Sequence, residues 1–238
     1  MSQLVINDIK IDVVRKNIKN IHLAVYPPNG RVRISVPLVI KEDTVRLFTI
    51  SKLSWIKRQQ RKFNGQARQS LREYKDRESH YYQGKRYLLN VIETQAVPKI
   101  NIRNSVYLEL YVRPGSSIEK RQLVINKWYR ERLKEIVPEL IEKWEKILKV
   151  GVNEFGIKQM KTRWGTCNSK AKRIWINLEL AKKPLHCLEY IVFHEMIHLL
   201  ERKHNELFKQ LMDKYMPQWK KYKQELNRFP VSHSNWSY

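Results

Sequence analysis

The sequence predicts an α+β protein: a small β-rich lobe with one basic helix over 1–112, then a lobe over 113–238 that joins an antiparallel hairpin to a helix carrying His194-Glu195-Met196-Ile197-His198. Three observations predict it. Apolar and polar residues alternate in several short runs within the first 112 positions, which is the period of half-buried strands. From Ser117 the apolar residues recur every three to four positions, which is the period of helices. A turn-prone stretch, Gly165 to Lys172, separates two further strand-like runs just ahead of the H-E-x-x-H segment. A chain of 238 residues can bury a real core as one elaborated domain or two small ones, and two lobes are favoured.

Taken in order, Ile9, Ile11 and Val13, then Ile21, Leu23 and Val25, then Val32, Ile34 and Val36 read as three strands, the last two joined across Pro27-Pro28-Asn29-Gly30. A small meander is expected. Glu42 to about Phe63 reads as one basic helix with Leu47, Ile50, Leu53 and Ile56 on its apolar side, and Asn64-Gly65-Gln66 as its break. Tyr87 to Ile92, Lys99 to Ile102 and Val106 to Val112 come next as consecutive strands, ending at Arg113-Pro114-Gly115. Ser117 opens a long helix through Trp128, Leu140 and Leu148, which Pro138 is expected to kink or divide. Gly156 to Trp164 and Arg173 to Leu178 form the hairpin, and Pro184 sits near the start of the next helix. No internal repeat and no low-complexity tract is visible.

On that helix His194 and His198 lie four residues apart, about 40° around the axis, so both rings can reach one ion. Glu195 points to the side of the pair, where a carboxylate can reach metal-held water without becoming a ligand, as a general base must. His204 is the third candidate ligand. On a continued helix it would lie about 80° from His194 and about 120° from His198, so the helix must end or bend between about Leu199 and Lys203. Three imidazoles leave a fourth position open, the mark of a catalytic rather than a structural site, and favour one zinc ion over iron. Asn205 and Glu206 suit the start of a further helix through Leu207, Phe208, Leu211, Met212 and Tyr215, stopped at Pro217.

The composition adds partners and a compartment. Charges interrupt every apolar run at Met1 to Lys16, and no uncharged stretch approaches the roughly 20 residues of a membrane span. A soluble, cytoplasmic protein with no membrane partner is expected. Cys167 and Cys187 form no C-x-x-C pair, so a sulfur-based zinc framework is excluded, and small buried thiols are expected of both. Forty-seven Lys and Arg against 23 Asp and Glu give a formal charge of +24, a field that draws polyanions. Lys57, Arg58, Arg61, Lys62, Arg68 and Arg72 are the candidate nucleic-acid contacts, with Trp55, Phe63, Tyr74, Tyr81 and Tyr82 nearby to stack on bases. A high isoelectric point inherited from general composition explains the same charge. The oligomeric state stays open.

Met160-Lys161-Thr162-Arg163-Trp164-Gly165-Thr166-Cys167, the strand around Ile176-Asn177-Leu178, and the H-E-x-x-H segment with His204 and Phe208 together resemble the YgjP-like metallopeptidase family. Arg31 to Pro37 and Tyr82 to Tyr87 extend the resemblance to nearly the whole chain. That family is similar to SprT-like and WLM-type zinc peptidases, which share the histidine spacing and act on proteins bound or crosslinked to DNA. The resemblance implies a zincin-like metallopeptidase lobe, His194, His198 and His204 as zinc ligands, Glu195 as general base, and a protein or peptide substrate, with DNA or nucleoprotein as a candidate partner. Arg163 and Tyr215 are candidate oxyanion donors, and a substrate strand is expected to add to the edge of Arg173 to Leu178. One departure stands out. Several zincins turn the chain before the third histidine with a glycine, and here the intervening residues are Leu199-Leu200-Glu201-Arg202-Lys203. The alternative is a nucleic-acid-binding accessory protein whose zinc is mainly structural.

Overall fold

The computed structural model describes residues 2–26, 29–64, 72–160 and 163–228, apart from the side chains of 62–64. The chain divides into two compact units, Met1–Arg68 and Gln69–Tyr238.

In the first unit β1 (Ser2–Ile6) and β2 (Ile9–Lys16) form a hairpin whose two turn residues, Asn7 and Asp8, both have positive φ, which suits the twist of paired strands. β3 (His22–Tyr26) and β4 (Arg31–Pro37) form a second hairpin, and β2 pairs with β4 in parallel, giving the order β1-β2-β4-β3. This replaces the expected meander. β4 buries Val32, Ile34 and Val36, whereas no residue of β3 is fully buried, as a central strand and an edge strand should differ. The single basic helix is two: α1 (Glu42–Ser51) stops at Lys52 and α2 (Leu53–Asn64) comes after it. Its apolar side also differs from expectation, since Val45, Thr49 and Ile56 are buried while Leu47 and Ile50 are exposed. Steps of three residues drift about 60° each, so Leu47 and Ile56 lie about 180° apart and cannot share a face. Gly65 to Leu71, which includes most of the break expected at Asn64-Gly65-Gln66, lies outside the described residues.

The second unit opens with β5 (Ser79–Tyr82), β6 (Lys85–Glu93), β7 (Lys99–Arg103) and β8 (Tyr107–Val112), in the order β5-β6-β8-β7. The plan is that of the first sheet: a hairpin closed by two positive-φ residues, here Gln83 and Gly84, a central parallel pair, and the third strand at the edge. The chain therefore contains a repeat of topology that its sequence does not display, because only strand pairing and turn geometry are shared.

α3 (Ile118–Leu148) covers this sheet, capped by Ser117, whose side chain accepts from the Lys120 N–H. It is not divided at Pro138. The proline is exposed, so water can reach the Lys134 carbonyl that it leaves without an N–H partner. Leu108, Leu110 and Val112 of β8 share one buried cluster with Ile125, Trp128 and Tyr129 of α3. The boundary expected at 112/113 thus falls inside the second unit, since a sheet with one apolar face must bury it against another element.

β9 (Glu154–Lys158), β10 (Gly165–Asn168) and β11 (Arg173–Asn177) form a third sheet in the order β10-β11-β9. The hairpin is β10 with β11, and β9 lies parallel on the other side of β11. Gly156 to Trp164 is therefore not its first arm. A 3-10 helix (Leu178–Lys182) leads to α4 (Leu185–Ile197), α5 (Glu206–Tyr215) and α6 (Trp219–Arg228), the last without a sequence expectation. Cys167 is half-buried, Cys187 is buried, and both are free. Among the described residues no helix is long and apolar enough to cross a membrane.

Candidate metal centre

α4 is buried along most of its length, with Leu188, Ile191, Val192, Phe193, Met196 and Ile197 in the core, so its polar side chains need partners. The helix ends at Ile197, and His198 caps it. The chain then tightens: the Leu199, Leu200 and Glu201 N–H groups donate back to Met196, Ile197 and Ile197. Glu201 organises the bend toward His204. Its carboxylate accepts from the Lys203 N–H (2.9 Å), and its carbonyl faces Nδ1 of His198 (3.0 Å). No residue from 198 to 205 has positive φ, so the turn does without glycine because it needs no left-handed residue. Asn205 then caps α5 by accepting from the Phe208 N–H at 3.1 Å, which places His204 at the helix entrance.

These turns bring the three imidazoles together. Nε2 of His194 and Nε2 of His204 are 3.0 Å apart, and ligand atoms of all three rings lie within 4.8 Å of one another. Phe208 packs against every ring, with centroids 4.7 to 5.0 Å away. Burial, and then the neighbouring His198 and His204, push His194 down to about 3, so its ring is neutral. His204 is lowered by burial and by His198 as well. Two neutral nitrogens facing each other suit a shared cation: a tetrahedral ion with nitrogen ligands at about 2.0–2.1 Å needs donors about 3.3 Å apart. The residues fit a metal ion.

Glu195 sits beside the cluster, 5 % exposed. Burial pushes its carboxyl up to about 8, opposed by the Arg163 guanidinium. Its other neighbour is Gly165 of β10, where a Cβ would stand 2.6 Å from Glu195 Oε1 and 2.8 Å from its Cγ. Only a glycine allows that approach. Burial and the Glu195 charge together raise Cys167 to about 11 and Tyr190 to about 12.

Arg163 is thus coupled to Glu195, whereas Tyr215 ends α5, half-buried, with Lys214 Nζ 4.9 Å over its ring. Of the candidate nucleic-acid contacts, Lys57, Arg58 and Arg61 are exposed on α2, Lys62 is on α2 with its side chain not described, and Arg68 lies outside the described residues. Arg72 is a correction. It belongs to the second unit, pairs with Glu78 at 3.1 Å and donates to the Ser79 carbonyl, so it holds the start of β5. Tyr74 is buried and Tyr82 packs on Trp128 at 4.8 Å, which removes them as stacking platforms. The linear run of basic residues here crosses from one unit to the other.

Three contributors carry no role in the sequence pattern alone. Gly165 and Asn177 stand in the motif without a function, and Glu201 stands where several zincins carry a glycine. A second group of ligand-type atoms, His186, Cys187 and Glu225, also lies within 4.8 Å. His186 Nε2 and Glu225 Oε2 are 2.7 Å apart and tie α4 to α6. His186 and Cys187 stand in the first turn of α4, where the helix dipole opposes a cation and favours that hydrogen bond over a metal.

A model of the YgjP-like metallopeptidase domain matches residues 19–229. No curated protein matches the chain. Among solved structures, the metallopeptidase zymogen of Pyrococcus abyssi abylysin is 21% identical, with a TM-score of 0.36, over 38% of this chain and 91% of that one. With the match spanning most of its length, the chain belongs to the YgjP-like metallopeptidase family.

Proposed function

We propose that the chain is a zinc-dependent, zincin-like endopeptidase in which His194, His198 and His204 hold one zinc ion and Glu195 is the general base. The observation that carries this reading is the convergence of three imidazoles beside a buried carboxylate that is not one of them. Bound there, zinc supplies an acidified water and polarises the scissile carbonyl. Glu195, steadied against Gly165, takes the water's proton on its carboxylate and returns it to the leaving amine. A carboxyl raised toward neutrality by burial suits both transfers. His198 donates from Nδ1 to the Glu201 carbonyl, which keeps its Nε2 lone pair free for the ion. Arg163 is the better placed of the two oxyanion candidates, because it already acts on Glu195.

The substrate strand adds to β10. β11 has β10 on one side and β9 on the other, so the edge expected of Arg173 to Leu178 is taken. Strand addition holds the peptide backbone without reading its side chains, which leaves selectivity to localisation. The formal +24 charge and the exposed Lys57, Arg58 and Arg61 support proteins associated with DNA as the natural substrates.

The test measures cleavage of an unfolded protein by the metal-loaded chain, with and without single-stranded DNA. Glu195→Gln should lower turnover by about 10²–10⁴-fold with metal content unchanged. Undiminished cleavage would overturn the assignment. Salt-sensitive DNA binding with no cleavage by the wild type would instead favour the accessory protein with a structural zinc.

A further inference from the structure

We infer that Asn177 is a positioning residue for hydrolysis, clamping the approach to β10 so that the Arg163 backbone is fixed and Gly165 is held against Glu195; this rests on the endopeptidase reading above. Asn177 is the last residue of β11 and is fully buried. A buried amide without partners is costly, and this one has a partner for every group it offers. Nδ2 donates to the Met160 carbonyl at 2.9 Å and to the Arg163 carbonyl at 2.6 Å. Oδ1 accepts from the Met160 N–H at 3.3 Å and from the Glu179 N–H at 3.2 Å. Its backbone N–H donates to the Trp164 carbonyl at 2.9 Å.

Four of these five bonds go to Met160, Arg163 and Trp164, just before Gly165. The reason lies in the sheet. Asn177 pairs with Lys158 of β9 on one side, while the ladder to β10 begins one residue earlier, at Ile176 opposite Gly165. At Asn177 a single backbone bond continues on the β10 side, to the Trp164 carbonyl, and the side-chain amide adds the bonds to Met160 and Arg163 beyond it. The consequence reaches the His194 cluster, because the clamped residues lead directly to Gly165, where even a Cβ would collide with Glu195 Oε1. α4 fixes Glu195 from the helix side, and Asn177 fixes the strand that Glu195 meets.

A purely structural asparagine would affect stability alone, so the test separates the two roles. Asn177→Asp keeps the shape and the acceptors but, when ionised, loses both donors to the Met160 and Arg163 carbonyls. With an unfolded protein as substrate, we expect kcat to fall about 10–100-fold, since small displacements at a reacting centre carry losses of that order. KM and metal content should stay within about twofold, and the change should be strongly non-additive with Arg163→Ala. Wild-type kcat in Asn177→Asp would overturn the inference. Simple additivity with Arg163→Ala, or a kcat loss matched by loss of metal or of folded protein, would overturn it as well. Amide exchange on the unmutated protein is an independent check: Met160 and Glu179 N–H groups exchanging as freely as exposed amides would rule the clamp out. If the wild type cleaves nothing while those amides are protected, the endopeptidase reading fails and the clamp remains as structure only.

Discussion

In Met1–Arg68 the strands run β1-β2-β4-β3, and in Gln69–Tyr238 they run β5-β6-β8-β7, each with a positive-φ hairpin turn and a parallel pair at its centre. The two sheets differ in the helices that come after them. After the first come two short helices broken at Lys52, with Leu47 and Ile50 left exposed. After the second comes α3, 31 residues long, whose Trp128 and Tyr129 join the sheet's core while its Trp144 meets Phe193 of α4 at 4.3 Å. The strand plan alone therefore does not make a site. A helix long enough to serve the sheet at one end and a second layer at the other gives α4 a buried place to pack, and the placement of the imidazoles and Glu195 depends on that.

The comparison can be broken at the site first. Gly165→Ala puts a Cβ into Glu195, so turnover on an unfolded protein should fall by about 10²-fold or more, the scale of a displaced general base, with metal still bound. Undiminished turnover would mean that the close approach of β10 is not needed. A second experiment separates the units. Ile34→Ala removes a fully buried side chain from the first core and should destabilise that unit by about 2–5 kcal/mol, while a chelator should destabilise only the second, by about 2.7 kcal/mol if the ion had been present at a hundred times its Kd. A single calorimetric transition shifted equally by both would show that the two units unfold as one.

The smallest expected effect is on pH dependence. Burial alone would raise the Glu78 carboxyl, but hydrogen bonds from His80 and Arg72 hold it down to about 2. A carboxyl depressed in the folded state stabilises fully above its ordinary 4.5, and that contribution is lost as pH falls from there toward 2. Glu78→Gln should flatten this acid slope in the second unit's melting temperature. An unchanged slope would remove Glu78 as its source.

The features that were legible in the sequence are local ones. His194 and His198 share a face because helical geometry puts residues four apart together, and Asn205 announces α5 because a cap is read from its own neighbours. The long helix from Ser117 was legible for the same reason. The break at Lys52 was not, because the threefold spacing of Leu47 to Ile56 imitates a face that a helix cannot keep. Arg72 was misplaced as a surface cation because nothing near it in the motif indicated that the second unit would fold it onto Glu78.

By itself the sequence determined the long helix from Ser117, α4 and α5, most strands, the candidate set of three histidines and Glu195, and the need for a bend before His204. All of these depend on side chains within a few turns of one another. The tertiary structure decided which strands pair, where one unit ends, how Glu201 replaces a glycine, and how Gly165 and Asn177 frame Glu195. The contacts that link Asn177 to Arg163 and Gly165 to Glu195 span 14 and 30 positions. Periodicity carries no information over such separations, because they are set by which apolar faces find one another in the folded core.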